Sequence, residues 1–480
     1  MYEFTRIERV DPAIKPSNER VSNFEEIQEV YTEEEAGTQA SRCIQCGNPY
    51  CSSTGCPLSN NIPQWLKFVA EKDLELAFQI SNETSPFPEI LGRICPHDRL
   101  CEGACTLNED NNGQADRLGA ITIGSIEVAI SERGFAKGMK PEFPDLATGK
   151  TVGIIGSGPA GLACATFLLR AGVKPVVYEA SDEAGGLLTY GIPSFKLEKK
   201  AVTRRLQLLK EAGMELHLNT RVGDDIAFEE IYQKHDAIFL GLGAMQARVL
   251  DQEIWESENV YMAVPFLTNI QKKLDGRVYD KMYQVKGKRV VVIGGGDTAM
   301  DCVRTSVREG AANVKCVYRR DEESMPGSRK EVKSAKEEGV EFIYQTTPKN
   351  FVADKNGKIY GVKFVNTEIL PSDSGRSKMI ELEGTEHIIE ADIIILALGF
   401  TNQRVQFLQQ NSINTNEWGA IEVSEGGQTS RQGVFAGGDT VRGADLVVTA
   451  AQDGREAAFQ ILEYIFEEEH EEKPASPGRF

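Results

Sequence analysis

Two strand–glycine-loop–helix signatures, starting at Thr151 and Arg289, and seven cysteines crowded into the first 105 residues predict an α/β chain. The expected architecture is two Rossmann-like nucleotide-binding domains, one inserted in the other, behind a small α-helical, cysteine-rich domain. With 480 residues, 41% of them apolar, the chain can form about three domains with sizeable cores. Its opening MYEFTRIERVDPAIKP carries charges and prolines where a secretory signal would be apolar, and the runs Val290–Ile293 and Ile393–Leu398 are only strand-sized. A soluble, cytoplasmic protein with reduced thiols is expected. The net charge of −19 repels phosphate backbones and anionic lipid, which argues against nucleic acid and membrane as partners.

Taken in order, residues 1–145 hold the clustered cysteines among short helical patterns, such as Ile62–Ile80 after the turn residues Ser59, Asn60 and Asn61. The stretch Lys137–Lys150, with its prolines and glycines, reads as a linker to a first strand at Thr151–Ile155. From there βαβ patterning predicts one nucleotide domain over 146–285 and 390–466, a second inserted over 286–389, and a tail over 467–480 too charged to pack. The glycine-ended strands at Asp236–Ala244 and Asp392–Phe400 bracket the expected crossings.

In TVGIIGSGPAGLACATFLL, Gly156, Gly158 and Gly161 form G-x-G-x-x-G between an apolar strand and an apolar helix, and Glu179 ends the next strand. Such glycines allow a tight turn and close approach of a diphosphate to a helix N-terminus, and the acid can bind ribose hydroxyls. Downstream, Gly438 and Asp439 end a strand before an apolar helix starting near Ala444. An aspartate there can bind a ribityl hydroxyl, and the helix dipole can face a flavin, so this first nucleotide reads as FAD. A plain glycine turn is the alternative. Gly185, Gly186 and Leu187 add a loop that lets backbone approach the cofactor. The second fingerprint, RVVVIGGGDTAMDCV, places Gly294, Gly296 and Ala299 as G-x-G-x-x-A around Asp297 and Thr298. Its following strand ends in Arg319 and Arg320 where an acid would mark NAD, and guanidinium groups suit a 2′-phosphate, so NADPH is preferred. A solvated arginine pair is the alternative.

Cys43, Cys46 and Cys51 are spaced C-x2-C-x4-C, Cys56 precedes a proline, and Cys95, Cys101 and Cys105 follow as C-x5-C-x3-C. Thiolates in such runs, with Cys-Pro pairs, fit two iron–sulfur clusters, for which seven cysteines leave one ligand to another residue, a three-iron cluster or an open site. A tetrahedral zinc site is the alternative. Cys164, Cys302 and Cys316 read as packed small hydrophobes.

The segments RCIQCGNPYC, ICPHDRLCEGACTLN, GGLLTYGIPSFKLEK, GGGDTAMDCVRTSVREGA, YRRDEESMPGSRKEV and FAGGDTVRGADLVVTA resemble the small (β) subunits of NADPH-dependent bacterial glutamate synthases, from about residue 40 to 460. The arrangement is also similar to the amino-terminal part of dihydropyrimidine dehydrogenase. This resemblance implies one 4Fe-4S cluster on Cys43, Cys46, Cys51 and Cys105. It implies a second on Cys56, Cys95, Cys101 and Glu127, the last at the position of a glutamine ligand in dihydropyrimidine dehydrogenase. A surface or linker role is the other reading of Glu127. The family spaces its third and fourth cysteines by three residues, whereas SSTG makes four here, an extension a loop absorbs.

The resemblance further implies an NADPH-oxidising electron-transfer subunit. Its electrons would reach a large (α) subunit whose glutaminase and FMN sites make L-glutamate from glutamine and 2-oxoglutarate. Lys196 is expected near the flavin or on a surface helix, and no acid–base side chain is assigned to hydride transfer. Two rivals are an NADPH-linked flavoprotein subunit of another iron–sulfur complex and a non-enzymatic zinc or cluster protein.

Overall fold

Thr32 starts the first long helix, α1 (Glu33–Ala40), with a reciprocal cap: its hydroxyl accepts from Glu35 N while the Glu35 carboxylate accepts from Thr32 N. The structure, a computed structural model, describes residues 2–108, 119–250, 257–370 and 378–471. The pattern over Ile62–Ile80 resolves into two helices, α2 (Ile62–Ala70) and α3 (Leu74–Thr84). Lys72 turns left-handed at φ 62°, and the Asp73 carboxylate accepts from Leu76 N to cap a fresh start. Helices α4 (Pro88–Ile94) and α5 (Ile123–Ala136) complete the cysteine module. They cross at glycine, since a Cβ on Gly92 would stand 2.9 Å from Gly124 O.

After the irregular 140–150 stretch comes a parallel sheet ordered β16–β4–β1–β2–β3. Its strands are β1 (Thr151–Ile155), β2 (Lys174–Tyr178), β3 (Glu215–His217), β4 (Ala237–Leu240) and β16 (Val434–Ala436). The inner strands are apolar on both faces because both are covered, as parallel sheets require. One face packs on α6 (Pro159–Arg170), α7 (Lys199–Glu211) and α11 (Val447–Glu471). Leu58, Phe87, Ile90 and Leu91 of the cysteine module belong to that same core. A fully buried ion pair, Arg205 to Glu89 at 2.6 Å, ties α7 to α4. Removing either partner would strand a charge, so the module and the first sheet form one body.

The second parallel sheet is ordered β6–β14–β7–β8–β9: β6 (Val260–Met262), β7 (Arg289–Ile293), β8 (Asn313–Val317), β9 (Glu341–Ile343) and β14 (Ile393–Leu396). It carries α8 (Ala263–Leu274), α9 (Asp297–Arg308) and α10 (Arg329–Glu337). The expected limits of the inserted unit, 286–389, are therefore too narrow: β14 pairs with both β7 and β6, so residues 260–274 and 393–396 join it. An antiparallel group, β10 (Thr346–Ala353), β11 (Ile359–Leu370), β12 (Lys378–Glu381) and β13 (His387–Glu390), interrupts the expected βαβ pattern. Where the chain crosses between units, β5 (Gln246–Ala247) pairs antiparallel with β15 (Phe400–Thr401). Helix α11 begins at Val447, three residues beyond the expected Ala444, and runs to Glu471, past the expected tail start at Glu467; residues 472–480 lie outside the described residues. Among the described residues no helix is long and apolar enough to cross a membrane.

Candidate functional site

Two cavities open in the cysteine module. One is lined by Cys43, Cys46, Cys51 and Cys105; the other by Cys56, Cys95, Cys101 and Glu127. Ile123 at the start of α5 lines both. Val448 of α11 lines the second cavity, which therefore faces the first nucleotide unit, whereas half-exposed Tyr50 roofs the first.

All ten cysteines are free. Burial raises the thiol pKa of Cys43 to about 11 and of Cys51 to about 12, moves Cys56 and Cys105 up, and pushes Cys95 and Cys101 far up. Thiols so packed ionise only beside positive charge, which is what iron supplies. Among the described residues no group of three His, Cys, Asp or Glu side chains is placed to hold a single metal ion. Ligands spread around a cavity suit a cluster with iron at each corner better than one zinc ion bound at about 2.3 Å from each sulfur. Glu127 is buried, not on the surface; burial raises its carboxyl pKa to about 8, and Asn60 Nδ2 donates to Oε1 at 2.9 Å. Trp65 Nε1 and His97 Nε2, buried side-chain nitrogens of residues lining the same cavity, have no partner among the described residues. Cluster sulfur could accept from such donors, so the residues fit the group. Asn60, Trp65 and His97 were invisible as site residues because ligand spacing marks the cysteines and not the other side chains that line a cavity beside them. Thr106 Oγ1, 3.3 Å from Cys46 Sγ, is a fourth such case.

The first glycine loop turns at Gly156, φ 100°, where a Cβ would stand 2.3 Å from Gly241 O. Gly161 packs on the Gly156 carbonyl, and Gly158, before Pro159 at the start of α6, faces open space. Glu179 is buried at the end of β2: Oε2 accepts from Ser157 N at 3.0 Å and Ser157 Oγ at 2.5 Å, and Oε1 from Ser181 N at 2.8 Å. Gly185 N donates to Ser157 Oγ, and Gly186 packs on Gly158 just before Leu187 starts a helical turn. Gly438 N donates to Asp453 Oδ2 of α11 at 2.8 Å. Burial raises the neighbouring Asp439 carboxyl pKa to about 7.

The second loop repeats the design. Gly294, φ 147°, lies so close to Ala397 O that a Cβ would stand 2.2 Å away, and Gly296 faces open space. Asp297 and Thr298 begin α9, with Ala299 buried beneath them. Asp297 Oδ1 accepts from Ser328 N at 2.9 Å. Arg319 and Arg320 are exposed just beyond the end of β8. Lys196 does not lie on a surface helix: its partly buried side chain places the ammonium 2.9 Å from Asp301 Oδ1 and 3.6 Å from Glu331, across the junction with the second unit. Burial alone would lower its pKa; the two carboxylates reverse this and hold the ammonium charged. Phe195 beside it lies under Arg304 and Arg308, 4.6 and 3.9 Å from its ring centre.

Residues 20–139 match the family described as dihydropyrimidine dehydrogenase domain II, 4Fe-4S cluster, and residues 150–454 match pyridine nucleotide-disulphide oxidoreductase. The chain is 48% identical to the glutamate synthase (NADPH) small chain of Escherichia coli (strain K12), over 97% of this chain and 99% of that one. It is 37% identical to the glutamate synthase (NADH) of Saccharomyces cerevisiae, over 93% of this chain but 21% of that protein. Among solved structures, Mycobacterium tuberculosis FprA in complex with NADPH shares the fold, at TM-score 0.56 and 16% identity over 68% of this chain and 87% of that one.

Proposed function

Since the chain belongs to the family of glutamate synthase small chains, we infer that it is the NADPH-oxidising electron-transfer subunit of such an enzyme. The observation that carries this is the adjacency of sites: α11 packs on the first nucleotide loop at Ala160 and lends Val448 to one cysteine-lined cavity, and Ile123 lines both that cavity and the one bordered by Tyr50. When bound, FAD would supply the hydride-accepting chemistry and two 4Fe-4S clusters would supply one-electron carriers.

The residues of this chain hold and orient those groups. Gly156, Gly158 and Gly161 open the α6 N-terminus to the FAD diphosphate, Glu179 takes the ribose hydroxyls, and Gly186, Leu187, Gly438 and Asp439 close on the isoalloxazine end. Gly294, Gly296, Asp297, Thr298 and Ala299 form the NADPH seat, with Arg319 and Arg320 on its 2′-phosphate. Cys43, Cys46, Cys51 and Cys105 ligate one cluster; Cys56, Cys95, Cys101 and Glu127 ligate the other. Lys196 acts on the junction of the two nucleotide units through Asp301. The electrons leave for a large subunit carrying FMN and glutaminase sites; the yeast relative, of which this chain matches about a fifth, supports a shared larger assembly. The test is iron, sulfide and flavin analysis of anaerobically purified protein, then NADPH titration followed in the visible spectrum and by EPR. About eight irons and one FAD per chain, with flavin bleaching, are expected; zinc in their place, or flavin that NADPH leaves oxidised, would refute the reading.

A further inference from the structure

The segment between Cys95 and Cys101 reaches out of the cysteine module and touches the second glycine loop. Its Arg99 donates from Nη1 to Pro326 O at 3.0 Å, and Nη2 stands 3.7 Å from Asp297 Oδ2. That second separation is an ion pair and too long for a hydrogen bond, so the Nη2 donors remain available. The side chain is 47% exposed and thus reachable by a ligand. Asp297 is the first residue of α9, at the end of the loop where a dinucleotide diphosphate would lie, and Gly296 beside it leaves that space open. An aspartate there repels the diphosphate it adjoins. The first glycine loop has uncharged Pro159 at the matching place.

We propose that Arg99 is a binding residue for the NADPH diphosphate, supplied to the second glycine loop by the cysteine module. The inference rests on the second loop being the NADPH site. An arriving diphosphate meets the free Nη2 donors, while the guanidinium offsets the charge of Asp297; Pro326 O and the short helical turn His97–Arg99 hold it in place. Arg99 would read what NADPH and NADH share, whereas Arg319 and Arg320 would read what distinguishes them.

The experiment is calorimetric titration of oxidised holoprotein with NADP+ and, separately, NAD+, on wild type, Arg99→Gln and Arg99→Lys, each checked for flavin and iron content. Arg99→Gln is expected to weaken both nucleotides by the same factor, about tenfold or more, with part of the loss recovered in Arg99→Lys. Unchanged affinity in holoprotein of altered thermal stability would make Arg99 a structural pin and overturn the proposal. Weakening of NADP+ alone would also overturn it, by moving Arg99 to the 2′-phosphate. Wild-type protein that bound neither nucleotide would instead remove the NADPH reading beneath it.

Discussion

The two parallel sheets are built to one plan: β16–β4–β1–β2–β3 and β6–β14–β7–β8–β9 correspond strand for strand. Asp236 accepts from Thr151 N and Asp392 from Arg289 N, each at 2.8 Å, so the same carboxylate pins the start of each central strand. The units differ in what surrounds the glycine loops. The first loop is locked inward by buried Glu179 and shut by α11, whose Gly454 admits no Cβ against Ala160 O. The second ends in exposed arginines and faces a neighbouring module through Arg99. One backbone plan thus carries an enclosed loop and an open one, and on the proposed reading the enclosed loop suits a resident cofactor and the open one an exchanging cofactor.

The sharpest way to break the correspondence is to add one methyl to each loop. Gly156→Ala and Gly294→Ala both force a left-handed residue against a carbonyl, at roughly 3 kcal/mol or more. Gly156→Ala is expected to lose flavin and iron together, because its core is shared with the cysteine module, while Gly294→Ala keeps both and loses reduction by NADPH; absorbance and iron analysis distinguish them. Next, replacing Arg319 and Arg320 with alanine should raise KM for NADPH some 10- to 100-fold and leave that for NADH nearly unchanged, on the scale of one or two charge-assisted hydrogen bonds. Glu179→Gln, which cannot accept every donor now held, should weaken FAD about tenfold in a flavin-release assay without changing KM for NADPH.

The smallest effect concerns pH. Burial lowers the pKa of His235 to about 4, with Thr151 Oγ1 and Tyr178 Oη on its two ring nitrogens. The unfolded chain binds this proton near 6.5 and the folded one only near 4, so stability of the first unit is full above pH 6.5 and declines as pH falls toward 4. Thermal melts across that window should show the slope shrink in His235→Gln.

What could be read in the sequence was whatever the local backbone dictates. Gly156 and Gly294 need positive φ beside a crossing strand, and β1 and β7 begin at the polar residue just before their apolar runs. The grouping of cysteines came from family resemblance, since spacing alone left the eighth ligand open. Non-local pairing escaped: β14 looks like any apolar strand, and only its partners Val290–Ile293 and Val260–Met262 assign it to the inserted unit. Lys196 and Asp301, 105 positions apart, carry no mark of each other, nor do Arg99 and Asp297.

The first sheet takes its edge strand from residues 434–436 and its cover from α11, which also sends Arg455 Nη1 back to Leu58 O and Thr84 O in the cysteine module. During synthesis the inserted unit has all five of its strands once Leu396 has left the ribosome, whereas the module and first sheet wait for the α11 segment. The first sheet and the module are therefore completed by contacts as long as 397 positions along the chain, whereas the inserted unit closes on its own strands.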